Sequence, residues 1–515
     1  MNGAEGLART LLKNGVNVCF ANPGTSEMHF VAALDIVDGM RSVLCLFEGV
    51  ASGAADGYYR MAGAPAATLL HLGPGFGNAI ANLHNAKKAR SGIVNVVGEH
   101  ATYHLVHDAP LSSDIETLAR PMSHWVKTSD RSENVGRDGA EAITRAREGQ
   151  GRIATLLLPA DVSWGEGAEI CTAPAPAGSP APTVDIVRTC VSLLRGGSKA
   201  AMLLGGGALR GKALELAGRI AVQTGCTLLA EANNARHERG LGRVAVKRLP
   251  MLVSDARNTL GGVDNLVLVG AKPPVAFFAY PGQPSVLTGE QCRIETLASF
   301  DSDPGVALQG LCDELDAHRV KPILLSRSTD VRPTTGPLTP ETIEMALSAA
   351  LPENAIVVDE SITTGRGFSS TIERAAPHDW MHSMGASLGY ALPVAVGAAI
   401  AAPDRKVVAL VGDGSALYTP QAMWTMVREN LDITMLIFSN RAYQVLRGEL
   451  SRMGARNPGP KALDMLSLDR PTIDWVKLAQ AHGVESGRAD NLGTLAQEIR
   501  RGLTSQGPYL VEVVL

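Results

Sequence analysis

The sequence lacks the features that are typical of nucleic-acid-binding proteins and of membrane proteins. Its 515 residues include 47 basic and 51 acidic side chains, the formal net charge is −4, and aromatic residues make up only 4%. Neither a basic block nor a stripe of basic and aromatic residues occurs, so nucleic-acid binding is not expected. A signal-peptide pattern and an apolar run long enough to cross a bilayer are also missing. What remains is a globular composition, with 45% apolar residues.

Disulfide bonds and zinc sites are also not expected. The chain has seven cysteines, an odd number, and no Cys-x-x-Cys pair. Scattered cysteines of this kind fit a reducing compartment, and we expect a cytoplasmic protein.

Hydrophobic patterning predicts several domains of one class. The chain is longer than one core usually organises. Apolar β-rich runs alternate with helix-like stretches, which is typical of α/β folds with parallel sheets covered by helices. The Pro/Ala-rich stretch 172–183 and the stretch 318–338 are interpreted as linkers. We therefore predict three doubly wound parallel-sheet domains, called here the N-terminal (1–170), middle (184–325) and C-terminal (338–515) segments.

Most of the expected strands are continuous apolar runs. Thr339-Pro340-Glu341 predicts a helix start, with threonine as cap and proline at the first helical position. The predicted strands are 16–24, 42–48, 66–73, 93–99, 152–162, 199–207, 226–231, 265–271, 355–360, 406–414, 433–440 and 508–515.

The most informative motif is Gly412-Asp413-Gly414-Ser415, with Asn440 27 residues after Asp413. Each follows a buried run, and parallel strands present their carboxyl ends, where ligands bind, at one edge of a sheet. A carboxylate and an amide oxygen there suit a magnesium ion that also takes phosphate oxygens. Gly-Asp-Gly alone is more typical of an ordinary strand-end turn, because such tripeptides are common.

Two further side chains are candidates for acid–base chemistry. Glu48 ends an apolar run and precedes the small-residue stretch 49–57, which permits close helix packing. A poorly solvated carboxylate can hold or share a proton, although Glu48 alone could be a helix-terminus carboxylate. His71 follows another strand and precedes a glycine-rich helix start, and a lone histidine there is usually structural.

Two other segments carry weaker signals. Thr363, in Asp359–Thr364, could donate to a phosphate, though Ser/Thr clusters are more often turns or caps. The Gly-rich turn 204–210 could hold a nucleotide, but it lacks the full dinucleotide spacing and a ribose-binding acid. A vestigial nucleotide fold is the better interpretation, and FAD is not expected.

Together these segments resemble the thiamine-diphosphate-dependent enzyme family, whose motif begins Gly-Asp-Gly and ends at an asparagine. The resemblance implies thiamine diphosphate and Mg²⁺ as cofactors. Asp413, Asn440 and the carbonyl of Ala442 would hold the metal. The diphosphate would lie near Gly412, Gly414, Ser415, Tyr443 and Thr363.

The same resemblance assigns roles around the cofactor rings. The segment 384–393 matches the one that keeps the cofactor bent, so that Leu388 would lie between its rings and the Ala386 carbonyl would accept from the 4′-amino group. Glu48 matches the glutamate that faces N1′ and promotes formation of the C2 ylide. The three segments would be the pyrimidine-binding, middle Rossmann-like and diphosphate-binding domains.

Within the family, the chain is similar to benzoylformate decarboxylase. Asn22–Glu27 resembles the segment whose serine meets the substrate carboxylate, a position held here by Thr25. His71 matches a proton-relaying histidine, and Leu111 a residue that lines the substrate pocket. The second active-site histidine of that enzyme has no counterpart, because the matching stretch 275–282 carries Phe277 and Phe278 instead.

The resemblance implies a 2-oxo acid decarboxylase, a lyase that works through an enamine intermediate, with carboligation to an aldehyde as a side activity. An acetolactate-synthase-type transferase is the alternative, but Asp108–Leu111 lacks the Phe-Gln pair of those enzymes. A third possibility is a non-catalytic thiamine-diphosphate-binding relative. The resemblance also implies a homodimer or homotetramer, with each site between the N-terminal domain of one subunit and the C-terminal domain of another.

Overall fold

The computed structural model describes residues 1–326, 335–368, 372–455 and 457–515. Three sheets, each dominated by parallel strands, organise the chain, and the predicted α/β class is confirmed. Part of the linker predicted at 318–338 lies outside the described residues, namely 327–334. The other predicted linker, 172–183, contains no helix or strand.

The N-terminal segment forms a six-stranded sheet of order β2-β1-β3-β4-β6-β5, and all its pairings are parallel. Its strands are β1 (Val18–Asn22), β2 (Arg41–Leu44), β3 (Ala66–Leu70), β4 (Ile93–Glu99), β5 (Trp125–Thr128) and β6 (Ile153–Pro159). Its helices are α1 (Gly3–Lys13), α2 (Met28–Ile36), α3 (Glu48–Ala62), α4 (Leu72–Ala89), α5 (Ile115–Ala119), α6 (Val135–Ala146) and α7 (Ala160–Trp164).

The middle segment forms a five-stranded parallel sheet of order β10-β8-β7-β11-β12. Its strands are β7 (Ala200–Leu204), β8 (Thr227–Ala230), β10 (Lys247–Arg248), β11 (Asn265–Val269) and β12 (Arg293–Ala298). Its helices are α8 (Val184–Leu194), α9 (Gly211–Thr224), α10 (Val253–Leu260) and α11 (Pro304–Glu314).

The third sheet has seven strands in the order β17-β18-β16-β15-β13-β14-β9. Its strands are β9 (His237–Arg239), β13 (Ala355–Glu360), β14 (His378–His382), β15 (Val407–Gly412), β16 (Ile433–Ser439), β17 (Glu485–Ala489) and β18 (Tyr509–Val514). The helices of the C-terminal segment are α12 (Pro340–Ala350), α13 (Ala391–Ala401), α14 (Asp413–Ala416), α15 (Ala422–Arg428), α16 (Gln444–Arg452), α17 (Pro460–Asp464), α18 (Trp475–Ala481) and α19 (Leu492–Thr504).

Strand β9 joins two segments of the chain. It lies in the middle segment by sequence, yet it pairs antiparallel with β14 at the edge of the C-terminal sheet. Arg236, just before β9, donates to the Asp379 carboxylate on β14 (2.7 Å), and Arg405 also pairs with that carboxylate at 2.6 Å. The middle segment is therefore tied to the sheet that carries Asp413.

Two helices of small residues hold the N-terminal and C-terminal segments together. A Cβ atom on Gly57 of α3 would overlap the carbonyl of Val394, and one on Gly397 of α13 would overlap the carbonyl of Ala54. The backbones therefore approach more closely than larger side chains would allow. The close packing predicted for 49–57 is confirmed, and it fixes the helix that begins with Glu48.

Element boundaries differ from the prediction near the candidate site. The run 42–48 was expected to be strand to its end, but β2 stops at Leu44, and Glu48 is the first residue of α3. Similarly, β15 stops at Gly412, and Asp413 begins the short helix α14. After β2 the apolar run continues through Cys45, which is buried, and Leu46, which is exposed, so the run extends past the end of the strand. The predicted start of α12 is confirmed, since Thr339 caps the helix and Pro340 is its first residue.

None of the helices in the described ranges is long and apolar enough to cross a membrane.

Candidate active site

Asp413 and Asn440 lie at the same edge of the C-terminal sheet. Strands β15 and β16 are parallel neighbours, with Gly412 opposite Phe438. Asp413 Oδ2 accepts a hydrogen bond from the backbone N–H of Arg441 (2.7 Å), and its Oδ1 accepts from Gly414 N–H (2.8 Å). The carboxylate thus bridges the turn after β15 to the residue that follows Asn440.

Asp413 forms no ion pair with the described residues. The residue is 5% exposed. Burial raises the pKa of its carboxyl group, and backbone donors and the charge of Arg441 act against that shift. A buried carboxylate without a cation is costly. The described residues also contain no group of three His, Cys, Asp or Glu side chains able to hold a metal. One carboxylate with amide and carbonyl oxygens is a donor set that suits Mg²⁺ carrying phosphate.

The loop after β16 is folded onto the Gly-Asp-Gly turn. Asn440 Oδ1 accepts from Ala442 N–H (3.0 Å), and Ala442 pairs in an isolated bridge with Ser467. The ring of Tyr443 covers Gly414 so closely that a Cβ atom there would lie 2.6 Å from Cε1. Ser415 is buried in the first turn of α14. The structure therefore brings together five of the residues predicted to hold the metal or the diphosphate: Asp413, Gly414, Asn440, Ala442 and Tyr443.

The segment around Leu388 is held rigidly by buried polar groups. Ala386 adopts a positive φ of 57°, a conformation that L-residues rarely adopt and that often marks functional sites. The Glu360 carboxylate accepts from Gly389 N–H (2.8 Å) and Ala391 N–H (3.0 Å). From helix α4, the Asn85 amide donates to the Ser387 carbonyl (2.9 Å) and accepts from its N–H (3.0 Å).

Burial raises the pKa of Glu360 to about 7, and the backbone donors act against that shift. Its carboxyl group fixes the start of α13 just after Leu388. We interpret it as a structural anchor of this segment.

Thr363 lies in a strained turn after β13. Ile362 has a positive φ of 50°, which is unusual for a β-branched residue. Asp359 Oδ1 holds the turn by accepting from the Ser361 N–H at 2.9 Å and from its hydroxyl at 2.5 Å. Thr363 is the residue before the 3₁₀ turn Thr364–Gly367. The Thr363 hydroxyl takes no part in the side-chain hydrogen bonds that the structure describes in this turn.

On the N-terminal segment, Glu48 is 7% exposed. Its Oε2 accepts from the Asn78 side chain at 2.9 Å. Its Oε1 lies against the backbone of α4, because a Cβ atom on Gly75 would be 2.8 Å from that oxygen and 3.3 Å from the Cβ of His71. Glu48 and His71 therefore lie on either side of one glycine.

His71 is paired with a second acid, Glu27. Its Nδ1 lies 2.8 Å from Glu27 Oε2, which also accepts from Gly24 N–H at 2.6 Å. Burial raises the pKa of Glu27, and His71 acts against that shift. Thr25 begins the 3₁₀ turn that ends with Glu27, so the same short turn carries the predicted substrate contact and the partner of His71.

Sequence reasoning missed Glu27, Asn78, Asn85 and Glu360. Glu27 lies in the stretch 22–27, but no role was predicted for it. Its carboxylate next to a glycine-containing turn was the available signal of a functional residue. The amides Asn78 and Asn85 gave no signal, because they act through contacts with distant parts of the chain.

The predicted residues fall into two clusters. The first, on the N-terminal segment, contains Thr25, Glu48 and His71. The second, on the C-terminal segment, contains Asp413, Asn440 and residues 386–389. Within the described residues, the Glu48 side chain is hydrogen-bonded to Asn78 and lies against Gly75, both on the N-terminal segment. Leu111, Phe277 and Phe278 are all exposed.

The sequence matches the N-terminal TPP binding domain of thiamine pyrophosphate enzymes over residues 1–118 and their C-terminal TPP binding domain over residues 365–513. The chain belongs to the thiamine-pyrophosphate-dependent enzyme family. The two clusters lie on these two matched domains.

Three relatives illustrate the breadth of the family. The "Putative acetolactate synthase large subunit IlvX" of Mycobacterium tuberculosis is 50% identical, covering 100% of this chain and 99% of the relative. Benzoylformate decarboxylase of Pseudomonas aeruginosa is 28% identical, covering 98% and 97%. The structure of a thiamine-diphosphate-dependent 4-hydroxybenzoylformate decarboxylase of Rhodococcus jostii RHA1 matches with a TM-score of 0.86 and 25% identity, covering 99% and 98%.

Proposed function

We propose that the protein is a thiamine-diphosphate-dependent lyase that decarboxylates a 2-oxo acid and can also join the product to an aldehyde. The observation that carries this proposal is the pairing of His71 with Glu27 (2.8 Å) on the turn that presents Thr25. A decarboxylase must return one proton to the carbon that loses carbon dioxide. A histidine held by a buried carboxyl group beside Glu48 is suited to that task.

The C-terminal cluster would hold the cofactor. Asp413, the Asn440 amide and the Ala442 carbonyl would bind Mg²⁺, which would balance the buried Asp413 charge and hold the phosphate groups. Ser415, Thr363 and the backbone near Tyr443 would donate to the diphosphate. When bound, thiamine diphosphate supplies the carbon nucleophile and the electron sink for decarboxylation.

The positions of the rings would be set by the 386–389 segment. The Ala386 carbonyl would accept a hydrogen bond from the amino group of the pyrimidine, and Leu388 would fill the space between the two rings. Glu48 would hold the proton that it shares with the pyrimidine ring. This role needs a carboxyl group, because an amide cannot transfer that proton.

The remaining N-terminal residues would act on the substrate. The Thr25 hydroxyl would donate to the substrate carboxylate, and Leu111 would line the side-chain pocket. His71 would move the proton at the reacting carbon. Phe277 and Phe278 cannot move protons, so slower protonation would leave time for an aldehyde to react, which favours carboligation.

We further propose that the active unit is at least a homodimer. The apolar side chains exposed near the two clusters include Leu46, Val106 and Leu111 on one segment and Tyr418 and Met465 on the other. Such patches mark interaction surfaces. A second copy that covers them would bring Glu48 of one chain to Asp413 of another.

A transferase of the acetolactate-synthase type is the second candidate. It is supported by the 50% identity to the Mycobacterium tuberculosis relative, which is named as a putative acetolactate synthase large subunit. Against it stands the 108–111 stretch, where Pro110 and Leu111 take the place of Phe-Gln.

Product analysis separates the two reactions. Purified protein with Mg²⁺ and thiamine diphosphate is incubated with pyruvate and, separately, with benzoylformate, and aldehyde, acyloin and acetolactate are measured. We expect aldehyde as the main product, with acyloin rising when aldehyde is added. Acetolactate as the main product from pyruvate would replace the lyase with the transferase, and turnover of neither substrate would argue against both.

A further inference from the structure

Three histidines form a row beside the proposed active site, here called the histidine row: His100, His104 and His107. The ring centroids of His100 and His104 are 5.6 Å apart, and those of His104 and His107 are 5.5 Å apart. His100 is half-buried, whereas His104 and His107 are exposed. The row thus leads from the interior to the surface along one loop.

The inner end of the row lies at the sheet edge that carries His71. Strands β3 and β4 are parallel neighbours, with Leu70 opposite Val97, so His71 follows one strand and His100 follows the other. The Glu27 carboxyl group packs directly on β4, because a Cβ atom on Gly98 would overlap Glu27 Oε1. Glu27 therefore contacts both His71 and Gly98, and Gly98 lies two residues before His100 in the chain.

The loop that carries the row is anchored at both ends. The Thr102 N–H donates to Asp161 Oδ1 at 2.9 Å. Near the other end, Ser113 packs on the start of α4, since a Cβ atom on Gly73 would overlap its hydroxyl. Between these anchors lie His104, His107 and Leu111. The row is thus held beside the predicted substrate pocket.

Two buried atoms face this region without a hydrogen-bond partner in the described structure: His100 Nε2 and Glu27 Oε1. Buried polar atoms are normally satisfied by protein or by water. Unpaired atoms of an imidazole and a carboxyl group on adjacent elements are suited to bind a water that carries protons between them.

Burial and two neighbouring histidines favour the neutral form of His100. Burial lowers the pKa of His100, and nearby His104 and His71 act in the same direction. Two carboxyl groups lie on or against the end of β4 next to His100. Glu99 accepts from the His100 N–H at 2.7 Å, burial raises the pKa of Glu99, and burial likewise raises the pKa of Glu27. A neutral imidazole near neutral pH can both accept and release a proton.

We propose that the histidine row conducts protons between solvent and the Glu27–His71 pair. This inference rests on the proposed lyase function, because loss of carbon dioxide from a 2-oxo acid anion requires one proton from water for each aldehyde formed. The proton enters at His107 or His104, passes to His100 and then to Glu27 and His71. Only N–H and O–H bonds change along the row, and after each transfer every imidazole returns to the protonation state in which it began. His100 is thus a positioning and transfer residue that does not touch the substrate.

A first test needs no turnover. Histidines labelled with ¹⁵N are titrated in the apoprotein, and His100 is followed with and without His71→Gln. Because a protonated His71 repels a protonated His100, the substitution should raise the titration midpoint of His100. An unchanged midpoint would show that the two rings are uncoupled and would overturn the proposal.

A second test measures proton supply during catalysis. His100→Gln should lower kcat for aldehyde formation several-fold, with KM and cofactor affinity unchanged. Imidazole in the buffer should restore the rate, because it carries protons in place of the missing ring. Tyr103→Phe, an exposed residue on the same loop, is the control and should keep the wild-type kcat at every imidazole concentration.

The outcomes separate the two proposals. An unchanged kcat in His100→Gln, or a loss that imidazole does not restore, would overturn the row as a proton path. If the wild-type protein decarboxylates no 2-oxo acid, the proposed function fails, and the row loses the reaction that it would supply, whatever the titration shows.

Discussion

At the residue scale, Glu48 and Asp413 have environments that suit opposite tasks. Glu48 is held by one neutral donor, Asn78, and a glycine backbone. Asp413 accepts two backbone N–H groups and forms no ion pair among the described residues. Two backbone N–H donors favour the charged form of Asp413, which can bind a metal, whereas the single Asn78 donor leaves the other Glu48 oxygen available to a cofactor ring.

Glu48→Gln should abolish turnover but leave cofactor binding intact. The amide keeps the shape and can still pair with Asn78, yet it cannot share a proton with the pyrimidine ring. General acid–base groups of this kind raise the reaction rate by about 10²–10⁴-fold. The substitution should therefore lower kcat by a factor in that range or larger. Titration calorimetry with thiamine diphosphate and Mg²⁺ should show wild-type affinity within a few-fold. Near-normal turnover in this variant would remove the acid–base assignment.

The residues that sequence reasoning found are those with local signatures. Asp413 is preceded and followed by glycine, and Asn440 ends a buried run, so type and spacing sufficed to select them. The roles of Glu27 and Asn78 could not be predicted from the sequence, for a physical reason. Glu27 acts on His71, 44 positions away, and that pairing is created by the neighbouring strands β1 and β3, which one sequence cannot reveal.

At the element scale, the crossing of α3 and α13 holds in place the helix that begins with Glu48. Glycine at residues 57 and 397 removes the side chains that would separate the two backbones. Since interiors are close-packed, added volume cannot be absorbed by a void. The crossing therefore joins the N-terminal helix of the acid–base cluster to the helix that follows Leu388.

Gly397→Ala should lower the thermal midpoint of unfolding. The new methyl group would overlap the Ala54 carbonyl, and overpacking of this kind typically costs about 1–3 kcal/mol. Gly77→Ala on α4 is the matched control, because nothing lies within 4 Å of its Cβ position. That change should be neutral or stabilising, since alanine favours helix. Equal midpoints for the two variants by scanning calorimetry would contradict the proposed role of the crossing.

Long apolar strands were predictable, and short polar ones were not. The runs that became β4, β6, β15 and β16 are fully or almost fully buried, and continuous hydrophobicity identifies such strands. Strand β9 reads His-Glu-Arg and gave no apolar signal. Its position in the C-terminal sheet depends on pairing with β14 and on the Arg236–Asp379 ion pair.

At the scale of the whole molecule, the two clusters lie on different segments of one chain. Each of the three sheets takes its strands from one segment of the chain, except that β9 joins the C-terminal sheet from the middle segment. Domain boundaries, quaternary structure and the metal remain predictions. A sequence cannot give the arrangement of subunits, because that depends on how folded surfaces fit together.

The middle segment supplies neither cluster. Its Gly-rich turn at 205–207 is contacted by Gln150, whose Oε1 accepts from Gly207 N–H at 3.4 Å. We expect this segment to contribute through its tie to β14 and through the loop that carries Phe277 and Phe278.

The central claim is that each active site combines Glu48 of one chain with Asp413 of another. We would co-express Glu48→Gln and Asp413→Ala chains with different affinity tags and isolate the mixed dimer. Each parent dimer should be inactive, and Asp413→Ala should gain no thermal stability from Mg²⁺ and thiamine diphosphate. The mixed dimer should recover about half the wild-type activity, because one of its two sites has both native residues. A mixed dimer as inactive as its parents would contradict the account.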